Sequence, residues 1–92
     1  FLFLEAFIDA SVHIGLSRDM AEQMVLQTVL GSVRFAQTSG KHLAELRNMV
    51  TSPGGTTTEA LLHLEEGGLR ASMTQAILAA YRKARALGEP SH

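Results

Sequence analysis

The chain has 92 residues, 46% of them hydrophobic, with 8 basic and 9 acidic side chains and a formal net charge of −1. That length supports one domain with little core to spare, and the near-neutral charge argues against a polyanion-binding surface, hence against nucleic acid as a partner. The absence of cysteine excludes disulfides, thiolate nucleophiles and cysteine-based metal sites, and suits a reducing compartment such as the cytoplasm.

Phe1 to Ile14 reads as a helix that is apolar over most of its circumference. Phe1, Leu4, Ile8 and Val12 line one face, and Phe3, Phe7, Ala10 and Ile14 line another. Such a helix is buried from several sides, and a chain this short has few helices to spare, so a second chain is expected to supply part of the cover. The apolar opening is too short for a membrane span, and no basic leader precedes it. Its start in mid-pattern, without an initiator methionine, suggests a longer polypeptide. Gly15 is the expected stop, and His13 suits the negative end of the helix dipole.

Ser17 is the next N-cap, with Asp19 and Glu22 in the first turns. The helix it opens runs to about Ser39 and closes on Gly40. Met20, Met24, Thr28, Gly31 and Phe35 form one stripe. Ala21, Val25, Val29, Val33 and Ala36 form the adjoining one. Gly31 inside a helix costs about 1 kcal/mol against alanine, which predicts another helix crossing closely there. The methionines are read as core packing. Lys41 to Val50 is a short helix with Leu43, Leu46 and Val50 on one side and Glu45, Arg47 and Asn48 on the other.

The densest run of conformationally special residues follows: Val50-Thr51-Ser52-Pro53-Gly54-Gly55-Thr56-Thr57-Thr58. Proline fixes a backbone dihedral and withholds a donor, while the glycines let a ligand approach the main chain. With Thr56 as N-cap, Glu59 falls at N3 and completes the threonine-x-x-glutamate spacing of a capping box. Amides at a helix start lack intrahelical acceptors and carry partial positive charge, so this turn suits a small anion, a carboxylate or a phosphate. Ordinary helix–helix turn chemistry is the alternative reading.

A fourth helix is expected from Thr57 to about Glu66, ended by Gly67-Gly68, and a fifth from Leu69 to Leu87. In the fifth, Leu69, Met73, Ala76, Ile77, Ala80, Tyr81 and Ala84 share a face. Arg82, Lys83 and Arg85 occupy its last turns, where cations suit the dipole. Residues 89–92 are expected to be a flexible tail to a single helical domain spanning 1–88. No stretch alternates with period two, so the fold class is all-α with about five helices. The four histidines are scattered and are read as having no partner at i+3 or i+4, so no metal site is expected at His42 or His63. Neither a dinucleotide fingerprint nor a phosphate-binding loop with lysine is present.

The segment Leu43–Glu65, with its Ser52-Pro53-Gly54-Gly55-Thr56-Thr57 core, resembles the signature of the pyrroline-5-carboxylate reductase family. The similarity extends to Phe1-Leu2-Phe3-Leu4-Glu5-Ala6, Gly15-Leu16 with Arg18, and Gly67-Gly68-Leu69-Arg70. The resemblance implies the interlocked helical dimerisation domain of those enzymes, of the 6-phosphogluconate-dehydrogenase-like C-terminal type. NADP or NAD would then be bound by an N-terminal Rossmann domain absent from this chain. It implies a homodimer, with larger rings of dimers left open, and no membrane attachment. It also implies that Ser52, Gly54, Gly55 and Thr56 grip the carboxylate of 1-pyrroline-5-carboxylate or proline, and that the Thr57 hydroxyl contacts the ring nitrogen as the catalytic contact. Two positions depart from the family pattern: Leu43 stands where many members have proline, and Asn48 where an acidic residue is common. The alternative is a non-catalytic dimerisation module, or a divergent paralogue acting on a related cyclic imine.

Overall fold

The computed structural model describes residues 1–51 and 55–88. Among these, five α-helices and no strand occur: α1 (Leu2–His13), α2 (Arg18–Ser39), α3 (Leu43–Met49), α4 (Thr56–Glu66) and α5 (Leu69–Gly88). The all-α expectation holds. The chain divides into two compact units, Phe1–Asn48 and Met49–His92.

In the first unit, α1 and α2 form a helical hairpin whose corner is closed by backbone hydrogen bonds. Ile14 caps α1, and Gly15 follows at φ 120°. The Gly15 amide donates to the Val12 carbonyl at 3.0 Å and the Leu16 amide to that of Ser11 at 3.2 Å. This pair of bonds is a Schellman closure, which gives the last carbonyls of α1 their partners. Ser17 then opens α2 as expected, its Oγ accepting from the Met20 amide at 3.2 Å. Arg18 Nη1 lies 3.1 Å from Asp9 Oδ1 across the corner. At the far end, Gly40 closes α2 in the left-handed region.

The hairpin seam is narrow. Ala21 is fully buried and Val25 is 3% exposed, with Ser11 at 8%. Ser11 is satisfied, its Oγ donating to the Phe7 carbonyl at 2.9 Å. Leu4, Ile8, Val12 and Val29 are half-buried beside them. The expected Leu4–Ile8–Val12 face therefore packs against the Ala21–Val25–Val29 stripe of α2. The second apolar face of α1 is not covered within the first unit: Phe3 and Phe7 stack edge-on at 6.2 Å but remain exposed, as does Ile14.

One expectation about α2 is corrected. Met20 and Met24 do not pack in the core of the first unit; both are about half exposed, because α1 covers only the adjoining stripe. At Gly31 a Cβ would meet nothing within 4 Å among the described residues, so the crossing helix expected there is not one of the first unit's own.

α3 is shorter than the sequence suggests because its cap sits at His42. The imidazole Nδ1 accepts from the Ala44 amide at 3.1 Å, and the His42 carbonyl accepts from the Leu46 amide at 3.1 Å.

The second unit has no fully buried side chain among its described residues. α4 ends at Gly67, and Gly68 at φ 77° starts α5, its carbonyl accepting from the Ser72 amide at 2.9 Å. The predicted apolar face of α5 exists as a helical stripe, but Leu69, Met73, Ile77 and Tyr81 are all exposed. α5 also extends one residue past the predicted end, to include Gly88. Large exposed apolar surface at regular helical spacing marks a face built to be covered.

Candidate functional site

The glycine-threonine turn delivers the chain into α4. Ser52 and Gly54, two of the expected anion-gripping residues, lie outside the described residues together with Pro53 and the tail 89–92. Gly55, Thr56 and Thr57 are described, and they lie together at the helix start.

Here the sequence expectation is corrected. The N-cap of α4 is Gly55, not Thr56, and α4 begins at Thr56 rather than Thr57. Gly55 adopts φ 88°, ψ −6°, a left-handed conformation that only glycine takes without strain. Its carbonyl accepts the first helical bond, from the Glu59 amide at 2.9 Å. A glycine in that conformation turns the chain one residue earlier than a threonine cap would. Thr56 is thereby placed inside the helix, where its hydroxyl no longer serves as the cap.

The capping box is consequently not formed. No described side chain caps α4, so the Thr56, Thr57 and Thr58 amides open the helix without a side-chain acceptor among the described residues. Glu59 sits one position beyond the box register, and its Oε1 lies 3.4 Å from His63 Nε2, one turn further along. This i,i+4 pair corrects the expectation that no histidine has a partner at that spacing. The threonines diverge in environment: Thr57 is half-buried, on the same inner stripe as half-buried Leu61, while Thr56 and Thr58 are exposed.

Electrostatically the helix start is simple. Three amide donors and the positive end of an eleven-residue helix dipole converge there. The acidic side chain of the first turn, Glu59, is drawn toward His63. The arrangement can accept a small anion and has no strong general acid within it. Among the described residues no cluster of histidine and acidic side chains has metal-binding geometry.

The pyrroline-5-carboxylate reductase dimerisation family model matches residues 1–87. The chain belongs to that family. Among similar reductases, that of Pisum sativum is 45% identical over 95% of this chain and 32% of its own length. The Escherichia coli pyrroline-5-carboxylate reductase is 40% identical over 97% of this chain and 33% of its own length. A crystal structure of Plasmodium falciparum pyrroline carboxylate reductase with NADP bound superposes with a TM-score of 0.92 at 39% identity, covering 96% of this chain and 34% of that one. The chain thus spans about a third of the length of the curated pyrroline-5-carboxylate reductases it matches. Among the described residues no helix is long and apolar enough to cross a membrane.

Proposed function

We propose that this chain is the dimerisation and substrate-binding part of a pyrroline-5-carboxylate reductase, which reduces 1-pyrroline-5-carboxylate to proline. Family membership over residues 1–87 is the observation that carries the reading. The uncapped helix start at Gly55–Thr57 supplies its chemistry. The substrate carboxylate takes the place of the missing cap and accepts from the amides that open α4. By the family resemblance, Ser52 and Gly54 grip the same carboxylate. Gly55 lets the ring lie against the backbone, and the Thr57 hydroxyl contacts the ring nitrogen.

The chain does not itself fit the dinucleotide. It has no Gly-x-Gly-x-x-Gly run and, among the described residues, no strand from which such a turn would spring. NADP or NAD is therefore held by the remainder of the parent protein, and it supplies the hydride. The residues here hold the acceptor C=N in register and set its charge environment.

The outward apolar faces of α1 and α5 support a homodimer in which residues 1–88 act as one functional module. The net charge of −1 speaks against nucleic acid as a further partner. The lack of cysteine suits a reducing compartment, and we place the parent in the cytoplasm.

The test is Thr57→Ala in the full-length enzyme. It lowers kcat/KM for pyrroline-5-carboxylate by about tenfold or more, equivalent to roughly 1.4 kcal/mol of transition-state stabilisation. Thr57→Ser retains most of the activity, and the dimer persists in both. Unchanged kinetics in Thr57→Ala would remove Thr57 from the site.

A further inference from the structure

The sequence of the α4 start encodes two helix beginnings, one residue apart. In the first, Thr56 caps the helix and Glu59 at N3 reaches back to the Thr56 amide, closing a capping box. In the second, the one observed, Gly55 caps the helix at φ 88° and no described side chain bonds the opening amides. The first beginning occupies a donor and places a carboxylate where an incoming carboxylate would sit. The second leaves the donors available. What distinguishes them in the structure is the left-handed backbone of Gly55 and, with it, the position of Glu59, whose Oε1 lies 3.4 Å from His63 Nε2.

We propose that His63 is a positioning residue for the substrate site: by pairing with Glu59 it holds an intramolecular competitor off the start of α4. The inference rests on the reading of that helix start as the carboxylate site. The competition follows from geometry and charge. A glutamate carboxylate tethered three residues from Thr56 is at high effective concentration, and it has the same chemistry as the substrate group. Its repulsion adds to its occupancy, since two carboxylates at one helix terminus disfavour each other. Both partners of the pair are exposed, at 74% for His63 and 68% for Glu59. Its effect is accordingly the modest one of an i,i+4 helix pair, a bias between two beginnings rather than a lock. Substrate binding itself selects the Gly55-capped form, as any ligand favours the state it binds better.

The experiment is steady-state kinetics on the full-length reductase with pyrroline-5-carboxylate as the varied substrate and L-proline as product inhibitor. His63→Ala frees Glu59 and raises KM and the proline inhibition constant by up to about twofold, the ceiling that a single i,i+4 pair sets on the shift between the two beginnings, with kcat unchanged. Adding Glu59→Ala to His63→Ala removes the competitor and brings both constants back to or below the wild-type values. A side chain needed only for helix stability would not be rescued by deleting its neighbour. An unaltered KM in His63→Ala, or a double variant as impaired as the single one, overturns the proposal. A wild-type enzyme that L-proline fails to inhibit competitively would instead overturn the carboxylate-site reading, and this inference with it.

Discussion

Arg70 Nε lies 2.8 Å from Glu65 Oε1, so the last turn of α4 and the first turn of α5 are tied across the Gly67-Gly68 corner. The two side chains are 68% and 55% exposed, and exposed pairs of this kind contribute about 0–1 kcal/mol. The corner is held more firmly by Gly68, whose φ of 77° is closed to most side chains. A Cβ there would meet nothing within 4 Å, so the penalty for substitution is backbone strain, about 1–2 kcal/mol. Gly68→Ala should therefore destabilise the protein more than Arg70→Ala in urea unfolding, with Gly68→Asn between them. The reverse order would make the ion pair the determinant of the corner.

Gly55 presents the same physics at the candidate site. Its φ of 88° and open surroundings predict about 1–2 kcal/mol of strain for Gly55→Ala. The chain relieves that strain by moving the cap to Thr56, which restores the box with Glu59. Substrate affinity falls as a result, and KM for pyrroline-5-carboxylate rises several-fold. An alanine variant with wild-type KM would show that the left-handed cap is dispensable.

Ile77 and Phe7 test the oligomer. Both are exposed in the single chain, so a charge at either position does little harm to an isolated subunit. In a dimer that buries them, an uncompensated glutamate costs several kcal/mol. The chain should sediment as a dimer at micromolar concentration, and Ile77→Glu should shift it to monomer. A stable wild-type monomer at that concentration would leave the outward faces of α1 and α5 without a purpose.

Gly31 separates the chain's own packing from that of its partner. Within the chain, Gly31→Ala has room and gains about 1 kcal/mol of helix propensity. Against a closely crossing helix of a second subunit, the added methyl overpacks and costs about 1–3 kcal/mol. The expected result is a weaker dimer by sedimentation equilibrium. A higher melting temperature with an unchanged dimer constant would mean that no helix crosses there.

The helices were legible because their punctuation is local. Ser17, Gly15, Gly40 and the Gly67-Gly68 pair act through bonds to residues within one turn, and each was read in its observed role. The α4 cap was misread because two local rules compete at adjacent positions. The threonine-glutamate spacing favours Thr56, and the left-handed glycine favours Gly55; sequence spacing alone does not rank a backbone conformation against a side-chain bond. Met20 and Met24 lie outside the first unit's core for a different reason. Helical periodicity shows which residues share a stripe, but what covers that stripe depends on surfaces outside the chain. The His42 cap on α3 was passed over because histidine was weighed as a ligand rather than as a hydrogen-bond acceptor.

That cap has a consequence for the imidazole. For Nδ1 to receive the Ala44 amide at 3.1 Å it must keep its lone pair, which assigns the ring hydrogen to Nε2. A metal ion at Nδ1 would take away the acceptor that opens α3 and set positive charge against the positive pole of that helix. The tautomer of one surface histidine is thereby fixed by a backbone amide two residues along the chain.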